Sequence, residues 1–193
     1  MVHAHPQNPK PEQARALAYL ERRGTKASTS SVRQALTEAF HTIEARLATV
    51  PAEVAAQSPP EGGWSIHEIV DHLVISHRPA ICQLRDAVAG KACDEPIEAH
   101  LLSSDPWAID WTTQQEALAT VHRDILACLD GVADLHRSKV RIPTVFVIKV
   151  DDRPIEWTEP LEWKAFAMGI RVHTLEHLAQ VERTLAAIRL LAS

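Results

Sequence analysis

Apolar residues recur at helical spacing through four long stretches of this chain, and residues that start or stop helices bound each stretch. In residues 31–50 the stripe is Val32, Leu36, Phe40, Ile43, Leu47 and Val50, closed by Pro51, with His41 off the stripe and solvated. A Pro-Pro-Glu-Gly-Gly break at 59–63 leads into Trp64 and Ser65, where Ser65 reads as an N-cap and Glu68 completes a capping box. That second helix is expected to reach Ala89. Pro79 should kink or divide it, because proline removes a backbone donor and clashes with the preceding turn. Thr112 or Thr113 is the expected cap of a third helix to about Leu129, with Leu118, Val121, His122, Ile125, Leu129 and Val132 on one stripe and Gly131 at the exit. A fourth helix is expected from about Pro160 to Leu191.

Between the third and fourth helices the period changes. Thr144 to Val150 are mostly β-branched, and Asp151-Asp152-Arg153-Pro154 carries turn chemistry, so 141–156 reads as a hairpin or extended crossover. Ahead of the first long helix, 11–23 suits a short helix with Leu17 and Leu20 on one side, followed by a polar break. The expected architecture is all-α: an antiparallel four-helix bundle with a crossover and a small β-hairpin or extended excursion between helices 3 and 4. Residues 1–30 form an N-terminal appendage and 31–193 the bundle domain.

Composition narrows the function classes. The chain has 193 residues, 46% hydrophobic and 23% charged, enough for one core without stapling metals or disulfides. A formal charge of −5 with no basic run points away from nucleic acid as a partner. Cys82, Cys93 and Cys128 are odd in number and lack C-x-x-C spacing, so they read as structural thiols in a reducing cytoplasm. No apolar run long enough to span a membrane is present. His3 and His5 read as a flexible terminus and not as a metal-binding arm.

The candidate chemistry sits in the fourth helix, where His173 and His177 are four residues apart and share one face. With 11 histidines in the chain, chance alone yields roughly 0.6 such pairs, so context carries the argument. At about 100° per residue, Phe166, Ile170, His173, His177, Val181 and Ile188 fall within about 80°, which turns both imidazoles inward. Two converging imidazoles make half of a divalent-metal site. Candidates for a third ligand are His67, His72, His77 and His122. The stripe Ile66, Val70, Leu73, Ile81 and Leu84 includes His77 and leaves His72 on a second sector with Ser65, Ile69, Ser76 and Gln83, so periodicity nominates His77 or His122.

The segment Trp64-Ser65-Ile66-His67-Glu68-Ile69-Val70-Asp71-His72-Leu73 resembles the second-helix signature of the DinB-like family, W-S-x-x-E-x-x-x-H-L, whose last histidine binds metal. The segment from His173 to Val181 resembles the same family's last-helix pattern, H-x-x-E-H-x-x-Q followed by an aliphatic residue. The resemblance, spanning about residue 31 to the C-terminus, implies His72, His173 and His177 as the ligand set, with His72 facing a wet cleft. His77 or His122 in place of His72 is the alternative.

H-x-x-E-H is also an inverzincin motif, but that requires a further acidic ligand downstream, and the one carboxylate after His177 is Glu182. Three neutral imidazoles would leave an ion with open positions, as in a catalytic site. Zinc is the default, and nickel, iron and manganese also accept imidazole. The resembled family implies low-molecular-weight thiol transfer, with a small-molecule thiol or electrophile as substrate. A metal-dependent hydrolase on the same site, or a non-catalytic homodimeric stress-response module, are the alternatives. Glu176 and Gln180 neighbour the ligands and are candidates to orient an imidazole or steady a bound water. Trp107, Trp111, Trp157 and Trp163 could roof the cleft, or seal the ends of the bundle.

Overall fold

The computed structural model describes residues 11–93, 95–150 and 153–191, so His3 and His5 lie outside the described residues. The chain is mostly helical. Six helices, α1 (Pro11–Leu20), α2 (Thr29–Leu47), α3 (Ala52–Ala55), α4 (Ile66–Val88), α5 (Trp111–Ala127) and α6 (Trp163–Leu191), accompany two strands, β1 (Ile142–Val150) and β2 (Arg153–Leu161). Among the described residues no helix is long and apolar enough to cross a membrane.

The four long helices form a ring of neighbours: α2 packs on α5 and α6, and α4 packs on the same two. The stripe read from α2 is buried throughout, from Val32 to Val50, and meets Leu118, Val121, Ile125 and Leu129 from α5 in one core. His41 is exposed. α4 starts as its capping box requires, Ser65 Oγ accepting from Glu68 N at 3.2 Å while Glu68 Oε2 accepts from Ser65 N at 2.8 Å. It continues through Pro79 without a break. α5 is capped not by a threonine but by Asp110, whose carboxylate accepts from Thr113 N at 3.1 Å. A charged acceptor two residues upstream of Thr112 captures the first free N–H groups and starts the helix earlier.

The excursion is an antiparallel hairpin with Ile142 opposite Leu161 and Phe146 opposite Trp157. It runs past residue 156 to Leu161, so α6 begins at Trp163 and not at Pro160. Pro143 and Pro160 face each other in the ladder, and a two-stranded ribbon tolerates them because both strands have free edges. Ile142 and Leu161 root the hairpin in the core, being 0% and 5% exposed.

Upstream of α2, α1 and the following π-helical turn Glu21–Thr25 lie against α6. Gly24 makes that approach possible: a Cβ there would stand 2.6 Å from the Ala165 Cα. Lys164 Nζ then donates to the carbonyls of Ala27 and Asp134 at 3.1 and 2.6 Å, which satisfies a fully buried lysine.

Candidate metal centre

The phase set by the Ser65 cap carries His72 to the face of α4 that meets α6. There it faces His173 and His177, stacked one turn apart as i and i+4 neighbours. His72 Nε2 lies 3.0 Å from His173 Nε2, and His177 Nε2 lies 3.1 Å from the same atom. The three ligand atoms are all within 4.8 Å of one another. Trp64 packs over the group, with ring centroids 5.0 Å from His72 and 6.2 Å from His177.

Hydrogen bonds on the far sides of the rings determine which nitrogens are free. His72 Nδ1 donates to the Leu101 carbonyl at 2.6 Å, and His177 Nδ1 donates to Gln180 Oε1 at 2.9 Å. Both acceptors lack a proton to give, so in the neutral rings Nε2 is a bare lone pair. His173 Nδ1 lies 3.2 Å from His77 Nε2. The Leu101 carbonyl is itself held in place from below. Buried Asp71 accepts from Ser103 N at 2.8 Å, from Ser103 Oγ at 2.9 Å and from Gln114 Nε2 at 3.3 Å, tying the loop to α4 and α5. His100, immediately before Leu101, takes φ 58°, a left-handed conformation uncommon for a side-chain-bearing residue.

Burial dominates the electrostatics. It pushes His173 and His77 well below the ordinary histidine range, with mutual repulsion among the rings adding to the effect. His177 is lowered to about 4, and His72 is lowered despite its Leu101 hydrogen bond. All four are therefore neutral at pH 7 and able to donate lone pairs. Burial also raises the carboxyl of Glu176. Glu176 itself is exposed, and it borders a cavity beside the three histidines.

This cavity has a volume of about 810 Å³, and its lining includes His72, His173, His177, Glu176 and Gln180. Its remaining wall is largely apolar: Tyr19 and Leu20 from α1, Ile97 from the loop, Phe146 from β1, and Phe166 and Ile170 from α6. The donor set fits a divalent cation. Three Nε2 atoms converge with no carboxylate between them, those of His72 and His177 as bare lone pairs, and nitrogens bound to one zinc ion at usual lengths stand about 3.3 Å apart, close to the 3.0 and 3.1 Å that separate His173 from its two neighbours.

Of the residues singled out in the sequence, His72, His173 and His177 come together, with Glu176 and Gln180 beside them. His122 does not join: its Nδ1 meets Glu44 Oε1 at 2.6 Å and its ring stacks on Phe40 at 3.9 Å. His67 packs between Trp107 and Trp111, with centroids at 4.8 and 5.8 Å. None of Trp107, Trp111, Trp157 and Trp163 lines the cavity; Trp111 and Trp163 are buried in the core, and Trp157 stacks on Phe146 behind the wall. The tryptophan at the site is Trp64, already present as the first residue of the W-S motif. The Leu101 carbonyl, Tyr19 and the β1 wall carried no signal in the sequence, because a backbone acceptor and a roof from distant segments leave no spacing pattern.

A mostly helical bundle with three histidines converging on a deep cavity defines the class. The DinB superfamily model matches residues 35–181, and the chain belongs to that superfamily. No curated protein matches it. Among solved structures it is similar to YfiT from Bacillus subtilis, described as a probable metal-dependent hydrolase with an unusual four-helix bundle topology. The two share 15% identity and a TM-score of 0.54, over 95% of this chain and 94% of YfiT. At that identity the likeness concerns the fold.

Proposed function

We propose that this protein is a divalent-metal-dependent enzyme that activates a small nucleophile, a low-molecular-weight thiol first and water second, for attack on an electrophile held in the cavity. The long helices are read here as an antiparallel four-helix bundle with the hairpin in its crossover. The observation that carries the proposal is the convergence of three Nε2 atoms on the wall of a largely apolar cavity, with the Nδ1 of each ring turned to a partner. His72, His173 and His177 would hold the ion. Bound there, it would supply positive charge that acidifies the S–H or O–H of the nucleophile.

The chain's own groups do the rest. Glu176, whose carboxyl is raised by burial, takes the nucleophile's proton; the new S–C or O–C bond forms, and the leaving group departs with its bonding pair. Gln180 holds His177 in orientation, and the walls from α1 and β1 keep bulk water from the electrophile. Thiol transfer comes first because about 810 Å³ has room for an electrophile and a thiol side by side. Hydrolysis is the second reading, favoured by the description of YfiT.

Metal analysis of the purified protein, followed by thiol consumption with monochlorobimane and by ester hydrolysis, tests both. Stoichiometric metal with thiol turnover that disappears in His177→Ala supports the first reading, and turnover with water alone supports the second. Metal-free protein that only self-associates would replace both with a dimeric interaction module.

A further inference from the structure

Three ring nitrogens turn away from the cluster, and two of them meet ordinary acceptors, the Leu101 carbonyl and the Gln180 amide oxygen. The third meets another histidine. His77 Nε2 stands 3.2 Å from His173 Nδ1, in a ring that is 2% exposed and whose own Nδ1 has no hydrogen-bond partner among the described residues. Phe40 and His122 are its ring neighbours, with centroids at 6.5 and 5.8 Å.

We infer that His77 is a positioning residue for His173: it accepts the Nδ1 proton of His173 and so keeps His173 Nε2 a bare lone pair facing His72 and His177. The inference rests on the metal-centre reading above. A neutral imidazole carries one proton, and for His173 it can sit on either nitrogen. On Nε2 it would point an N–H into the cluster and remove one of three ligands. On Nδ1 it needs an acceptor, and His77 Nε2 is the atom in reach. Accepting that proton forces the proton of His77 onto its own Nδ1, the atom left without a partner. A buried N–H without an acceptor is costly, and an apolar side chain at 77 would avoid it. The work done at the other end of the ring explains why a histidine stands there. Ligand histidines are commonly oriented through their second nitrogen by a carboxylate, carbonyl or water. Here a second imidazole takes that place.

Zinc affinity, measured on the full chain by competition with a chelating dye, tests this in wild type, His77→Ala, His77→Phe, His77→Gln and His122→Gln. Glutamine offers a carbonyl oxygen at about the reach of Nε2, whereas phenylalanine restores bulk alone. The expected result is zinc binding weakened 10–100-fold, on the order of other such orienting partners, in His77→Ala and His77→Phe. Binding should return to near wild type in His77→Gln and stay unchanged in His122→Gln. Wild-type affinity in His77→Phe overturns the inference, as does equal weakening in His77→Phe and His77→Gln. If His77→Ala does not fold, the Phe and Gln variants, which differ in the acceptor, still decide. A long-range proton–nitrogen NMR spectrum of the metal-free wild type gives a second readout: the His173 proton is expected on Nδ1, and a proton on Nε2 overturns the inference. A wild type that binds no zinc removes the metal centre and this inference with it. Zinc binding that needs His173 but not His77 removes only the role of His77.

Discussion

His122 on α5 and the histidines between α4 and α6 are all largely desolvated, yet they live in different electrostatic surroundings. His122 is 1% exposed, stacks flat on Phe40 and gives one nitrogen to Glu44. Its neighbours are a carboxylate and a ring, and its second nitrogen is left unpaired. The other group faces itself: His72, His173 and His177 turn their Nε2 atoms toward one another, and His72 and His177 turn their protonated nitrogens outward. Desolvation is common to both groups. What separates a histidine that supports packing from one that can hold an ion is the direction of its lone pair, which its hydrogen-bond partner determines.

That contrast can be broken by experiment. The largest effect expected is loss of stoichiometric metal in His173→Ala, His177→Ala or His72→Ala, read by elemental analysis, against full stoichiometry in His122→Ala. Undiminished metal in His72→Ala would remove that residue from the set. Glu176→Gln should lower turnover by roughly 10²–10⁴-fold, the usual worth of a positioned acid or base, while metal content stays unchanged. A parallel loss of metal would make Glu176 part of the ligand scaffold instead.

Chelation should come next in size. Ion held at about 100 times its Kd contributes about 2.7 kcal/mol, which for a chain of this length is about 5–11 °C in Tm by calorimetry. His177→Ala should show no such chelator response, and His122→Ala should keep it.

The smallest effect is on pH dependence in the metal-free protein. Burial lowers His177 from 6.5 to about 4 and also lowers His72, His77, His173 and, against the pull of Glu44, His122. The unfolded chain takes up protons below pH 6.5 that the folded chain refuses, so stability falls as pH drops from about 6.5 and, for His177, levels off below about 4. Denaturant midpoints across this range should show a shallower slope in His177→Ala than in wild type. A slope unaltered by that change would mean that His177 is not shielded as described.

Much of this was legible in the chain. The α2 and α5 stripes, the Ser65 and Glu68 cap and the inward pair His173 and His177 all follow from local spacing, because a helix repeats its faces by geometry alone. At α4 periodicity did not single out His72. It assigned His72 to a polar second sector, but the first turns of α4 are buried nearly all round, from Ile66 to Val74. One side meets the core, and the loop around Leu101 and Ser103, pinned by Asp71, covers the side of His72. A helix covered on every side has no single stripe to read, and the W-S motif points to the histidine that the structure sets beside the Nε2 of His173.

The sequence by itself determined that the four long segments are helical, that Ser65 caps one of them, and that two imidazoles share one face, since these depend on neighbours within a few residues along the chain. Only the tertiary structure decided which third histidine meets them, which nitrogen of each ring is free, and that α1 and β1 wall the cavity. Those outcomes depend on contacts such as His72 with Leu101 and His173 with His77, between residues far apart in the chain, where no spacing rule reaches.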